Sequence, residues 1–136
     1  MDEEERFLAE ARKEVSYWQQ RMPLIRSYRI DVQLAEEGAT PYGCRIDYSR
    51  FAKEATILIE RNLRLGDPSR DTVRWFVTHE LVHLMLETYT GFISSLARDD
   101  QVRQILINSE EELVWSLTDL LLALREHGDE AYPDHG

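Results

Sequence analysis

Apolar residues recur every three or four positions near the start of the chain, with charged residues between them. The apolar positions between residues 2 and 21 are Phe7, Leu8, Ala11, Val15, Tyr17 and Trp18. Because an α-helix turns once in about 3.6 residues, this spacing gathers the apolar side chains on one face. Proline lacks a backbone N–H, so Pro23 marks the end of the pattern. The sequence therefore predicts an amphipathic helix over residues 2–21.

Alternation of apolar and polar residues replaces this spacing after Leu24. Residues 24–36 alternate in this way, which predicts a half-buried strand. The same alternation returns from Cys44 to Tyr48, after a loop that contains glycine and proline. Ala55–Ile59 is rich in β-branched residues and predicts a third strand. We expect a small antiparallel or mixed sheet, with Ala55–Ile59 as an exposed edge that aligns an extended peptide.

A long helix is predicted after the third strand. Asp67 and Pro68 have the residue types of an N-cap and a first helical position, and Gly91 those of a C-cap. Residues 92–107 show two shorter helical patterns, broken near Asp99 and Asp100. The apolar residues expected on the buried face of the long helix are Trp75, Phe76, Val82 and Leu86.

A second strongly apolar helix is predicted to begin at Ser109. Ser109 and Glu112 have the spacing of a capping box, in which each side chain bonds a free backbone N–H of the first turn. Residues 126–136 are polar and contain glycine and proline, so we expect a flexible acidic tail there. Together these elements predict an α+β fold and one domain over residues 1–125.

The composition agrees with a single soluble domain. The chain has 136 residues, of which 43% are hydrophobic, and a formal net charge of −10. That charge argues against nucleic acid or an anionic membrane as a partner. One cysteine, an acidic N-terminus and the lack of about 20 consecutive apolar residues predict a cytoplasmic protein with no membrane span. The sequence does not indicate an oligomeric state.

The segment His79-Glu80-Leu-Val-His83 carries the strongest chemical signal. Residues four apart lie on the same face of a helix, so His79 and His83 can bind one metal ion. Glu80 is turned by about 100° from His79 and is suited to act as a general base on a water molecule. The spacing predicts a zinc-dependent hydrolase site. The alternative is a core helix whose two histidines are satisfied by hydrogen bonds.

A third zinc ligand is expected, because catalytic zinc usually has three from the protein. The positions three and six residues after His83 hold Leu86 and Tyr89, which excludes a third histidine ligand there. His127 and His135 lie in the predicted tail and are interpreted as solvated residues.

The acidic triplet Glu110–Glu112 is the remaining source of a third ligand. Glu112 is assigned to the capping box. In helical projection Glu110 lies near the centre of the apolar face, and Glu111 lies about 100° away, so phase alone favours Glu110.

The segments THELVHLMLE and SEEELVWSLTDLLLAL resemble those of minimal gluzincins, which include small phage-encoded proteins and the catalytic domain of the repressor-cleaving ImmA/IrrE peptidases. The resemblance implies a zincin-like fold: an N-terminal helix, a three-stranded sheet, the His-Glu-x-x-His helix and a glutamate-bearing helix. In such relatives the ligand glutamate precedes an apolar position by six residues, and placing Leu117 there selects Glu111. The resemblance thus implies a metallopeptidase that binds one Zn²⁺ through His79, His83 and Glu111 and acts on a peptide or protein.

Two other functions remain open at this point. One is a non-catalytic, zinc-stabilised module that binds other proteins, and the other is a metal-free helical interaction protein. Glu80 favours the enzyme, because a purely structural zinc site does not require it. Suitable donors for a reaction oxyanion are Tyr42, Tyr48 and Tyr89, and Asp119 is a candidate partner for a histidine N–H.

Overall fold

Over the residues that the structure describes, the protein has three α-helices and a three-stranded mixed sheet, which confirms the predicted α+β class. The computed structural model describes residues 2–40, 43–61, 72–96 and 99–131, without the side chains of residues 88–98 and 128–131. In chain order the elements are α1 (Glu3–Arg21), a 3₁₀ turn (Pro23–Ile25), β1 (Arg29–Ala35), β2 (Cys44–Ser49), β3 (Glu54–Glu60), α2 (Val73–Leu96) and α3 (Asp100–Ala131). The chain divides into two compact units, Met1–Met85 and Leu86–Gly136.

The central strand of the sheet is β3. It pairs in parallel with β1 and antiparallel with β2, so Ile57 lies between Val32 on one side and Ile46 on the other. The expectation that Ala55–Ile59 is an exposed edge is therefore wrong. Side chains on one face of this run are buried and those on the other are half-buried, which fits a central strand, and Ile57 and Ile59 are fully buried. Among the described residues, the edges belong to β1 and β2.

The N-terminal helix α1 confirms the amphipathic pattern. Asp2 caps it by accepting a hydrogen bond from the backbone N–H of Glu5 at 2.8 Å. Ala11, Val15 and Trp18 are buried on its inner face. The Trp18 indole N–H donates to the Thr78 hydroxyl of α2 at 2.8 Å, which ties α1 to the helix that carries both histidines.

The helix boundaries differ from the predicted ones at two places and agree at a third. Gly91 lies inside α2, because a single glycine weakens a helix without ending it. Ser109 lies inside α3, so it is not an N-cap and the capping box with Glu112 does not form. Asp99 caps α3 instead, accepting from the backbone N–H of Gln101 at 2.7 Å, which confirms the predicted break.

Two further predictions concern residues outside the described ranges. The proposed cap at Asp67 and Pro68 lies wholly outside them; where the described part of α2 begins, Thr72 accepts from the Trp75 backbone N–H at 3.1 Å. The tail predicted over residues 126–136 lies partly outside them; α3 continues to Ala131, so residues 126–131 are helical, while the domain boundary at 125 stays a prediction. None of the helices within the described ranges combines the length and apolar character that a membrane crossing requires.

The buried carboxylate of Glu60 holds the connection between β1 and β2. It accepts from the Gly38 backbone N–H at 2.6 Å, and from the backbone N–H and hydroxyl of Thr40 at 3.2 and 2.6 Å. Gly38 has a φ of +84°, which glycine adopts without steric strain. The hydrogen bond from the Thr40 hydroxyl, and next that from Gly38, lower the pKa of Glu60 below its ordinary value of 4.5.

We expect Glu60→Gln to lower the thermal unfolding midpoint at pH 7 and to reduce its dependence on acid. Because the folded-state pKa is lowered, the Glu60 carboxylate stabilises the fold above its unfolded-state pKa, and this contribution is lost as the pH falls through the folded-state value. Thermal melts of both proteins between pH 7 and pH 3 measure the effect. Glu54→Gln, at the exposed start of β3, is the control and should behave as wild type. Equal pH dependence in wild type and Glu60→Gln would contradict this role.

Candidate metal site

The two histidines lie one turn apart on α2. Their ring centroids are 4.9 Å apart and their planes are nearly perpendicular, at 80°. His79 is buried with 4% exposure, whereas His83 is half-buried. The i, i+4 spacing therefore brings the two imidazoles together, as expected for a helix.

Trp75 fixes the orientation of the His79 ring. The two rings are stacked with centroids 4.6 Å apart and an angle of 20° between planes. Phe76 packs edge-on against Trp75 at 5.9 Å, and both aromatic residues are buried. The burial of Trp75 and Phe76 is predicted from the sequence, but the stacking of Trp75 on His79 is not. Their i, i+4 spacing on a helix could have indicated this stacking. A ring held in this way is preorganised as a ligand.

Glu80 is buried beside the histidines, with 4% exposure. Its Oε1 accepts a hydrogen bond from the Cys44 thiol at 3.1 Å. Cys44 is the first residue of β2 and lies 36 positions away in sequence, so no local pattern could have paired the two. The carboxylate is thus oriented by a contact with the sheet.

Glu111 is the third residue of a group that could hold a metal ion. One nitrogen of His79, one nitrogen of His83 and one carboxylate oxygen of Glu111 lie within 4.8 Å of one another. Glu110 and Glu112 are not in this group. Within α3, the Glu111 carboxylate also accepts from the Trp115 indole N–H at 3.2 Å. No prediction from the sequence paired Trp115 with Glu111.

Burial along α3 does not by itself select Glu111 over Glu110. Among the described side chains of α3, Val114 and Thr118 are buried, Glu110 is half-buried and Glu111 is exposed. Only the grouping of the Glu111 carboxylate oxygen with the two histidine nitrogens distinguishes the two glutamates.

The donor chemistry of this group fits a divalent metal ion. Two imidazoles and one carboxylate form a ligand set that zinc uses in catalytic sites, where a fourth position stays open. Within the group, His79 is buried, His83 is half-buried and Glu111 is exposed. The structure therefore contains a group of side chains that could bind a metal ion.

The remaining predicted site residues lie outside this group or outside the description. His127 is exposed on α3, and His135 is not among the described residues. Tyr48 is half-buried on β2, while Tyr42 and the side chain of Tyr89 are not described. Asp119 is half-buried on α3, and its role beside a histidine stays a prediction.

Comparison of the chain with known protein families, with curated proteins and with solved structures found no match. The resemblance to minimal gluzincins thus rests on the two sequence segments and on the order of the predicted elements.

Proposed function

We propose that the protein is a zinc-dependent metallopeptidase of the gluzincin type. The observation that carries the proposal is the grouping of His79, His83 and Glu111 donor atoms within 4.8 Å, with the buried carboxylate of Glu80 on the same turn as His79. His79, His83 and Glu111 would hold one zinc ion. Zinc in such a site supplies Lewis-acid activation of water and of a substrate carbonyl.

Glu80 would act as the general base, and neighbouring residues would orient Glu80 and the metal ligands. Glu80 takes a proton from the attacking water and passes it to the departing amine of the substrate. Its burial keeps bulk water away from the carboxylate, and the contact with Cys44 holds one of its oxygens. The Trp75 ring limits rotation of His79, and the Trp115 indole orients Glu111. Such supporting contacts typically tune ligand orientation and metal affinity.

An extended peptide would bind along the outer edge of β2. This strand replaces Ala55–Ile59 as the candidate edge, because β3 is paired on both sides. Cys44 at the start of β2 contacts Glu80, so the edge begins next to the proposed base. Pairing of a peptide backbone with an exposed strand gives affinity with little demand on its side chains. A cytoplasmic location is part of the proposal, since a reducing compartment keeps Cys44 as a thiol.

We expect Glu80→Gln to keep about one zinc per chain and to lower kcat/KM for peptide hydrolysis by roughly 10²–10⁴-fold, the usual contribution of a general base. Zinc is measured by elemental analysis, and hydrolysis by the appearance of new amino termini in a peptide library. Glu54→Gln, at the exposed start of β3, is the control and should leave both unchanged. Loss of zinc from Glu80→Gln would refute the base assignment. A zinc-loaded wild type without hydrolysis would favour the zinc-stabilised interaction module.

We expect Glu111→Ala to weaken zinc binding by more than roughly 100-fold, because removal of a ligand exceeds the 10–100-fold effect of a lost supporting partner. Glu110→Ala removes the neighbouring carboxylate from the same helix and is the control. Competition titrations with a chelating dye give both affinities. Equal affinity of Glu111→Ala and wild type, with a loss in Glu110→Ala, would move the ligand to Glu110.

A further inference from the structure

We propose that the Cys44 thiol is the positioning residue that fixes the Glu80 carboxylate. This inference rests on the proposed function, because it concerns the orientation of the proposed base. The observation is the hydrogen bond from Cys44 Sγ to Glu80 Oε1 at 3.1 Å. Glu80 is 4% exposed, so the thiol meets a carboxylate that is almost shielded from solvent. Buried carboxylates need hydrogen-bond donors, and the thiol is one of them here.

The sulfur is held at a fixed point of the sheet. Cys44 is the first residue of β2 and lies opposite Ile59 of β3, which is fully buried. The preceding residue is also held, because the Gly43 carbonyl accepts from the Glu60 backbone N–H at 2.8 Å. The donor is therefore anchored by the backbone of two paired strands, while the acceptor is on α2. The hydrogen bond therefore fixes the position of the Glu80 carboxylate relative to the sheet.

A thiol suits this role because it is a weak, uncharged donor. An arginine or lysine at this position would hold Glu80 in an ion pair with shorter and stronger hydrogen bonds. Such a pair would compete with a substrate water for the carboxylate oxygens. The Cys44 thiol directs Oε1 without adding a charge beside the metal ligands. Cys44 is thus assigned a role in orientation rather than in proton transfer.

The first test observes the contact itself, in metal-free protein. The chain has a single cysteine, so the infrared S–H stretching band reports on Cys44 alone. A hydrogen-bonded thiol absorbs at lower frequency than a free one. We expect the band to move to higher frequency in Glu80→Gln, which keeps the side-chain shape but offers an uncharged acceptor. An identical band in wild type and Glu80→Gln would overturn the proposal.

The second test measures the consequence in zinc-loaded protein. We expect Cys44→Ala to lower kcat by roughly tenfold, the lower end for a hydrogen bond to a charged group, with unchanged zinc content and KM. Cys44→Ser, which restores a hydroxyl donor, should recover at least part of the loss. Unchanged kcat in Cys44→Ala, or equal loss in both variants, would overturn the positioning role. A zinc-loaded wild type that hydrolyses no peptide, while the band still shifts, would refute the peptidase and leave the contact standing.

Discussion

Three polar side chains, Thr78, His79 and Glu80, are buried next to one another on a single turn of α2. Burial of a polar group costs free energy unless a partner replaces the water that it loses. Thr78 accepts a hydrogen bond from Trp18 of α1, and Glu80 accepts one from Cys44 of β2. The hydrogen bonds that these buried side chains require therefore connect α1 and the sheet to α2.

The same contacts make the turn rigid, which matters for chemistry. His79 is stacked against Trp75, and Glu80 is oriented by the thiol, so neither side chain rotates freely. His83 is half-buried and marks the more open side of the pair. A structural zinc site is normally closed by four protein ligands and has no use for a buried carboxylate that does not bind the ion. A buried Glu80 beside two histidines therefore supports the proposed hydrolytic role over a structural one.

Features that depend on near neighbours in sequence could be predicted, and those that depend on distant contacts could not. The spacing of His79 and His83, the amphipathic α1 and the three strands all follow from local periodicity. The central place of β3 depends on pairing between strands, which a single strand pattern does not encode. The contact of Cys44 with Glu80 joins residues 36 positions apart and leaves no local signal.

Two local sequence patterns are present as described, but the rest of the structure does not use them as predicted. Ser109 has the residue type of an N-cap, yet the helix already begins at the Asp99 cap and continues through it. The apolar pattern of α3 suggested a broad buried face, but among its described side chains only Val114 and Thr118 are buried, and Leu124 is 58% exposed. The choice of Glu111 over Glu110 came from the resemblance to gluzincins, and the grouping of donor atoms agrees with it.

The zinc content of purified wild type and of His83→Ala, measured side by side by elemental analysis, decides whether this chain binds zinc through His83. We expect about one zinc per chain in wild type and its loss in His83→Ala, with both proteins giving the same far-ultraviolet circular dichroism. A wild type that binds no zinc, even after refolding with excess zinc, would contradict the metal site and the peptidase that depends on it.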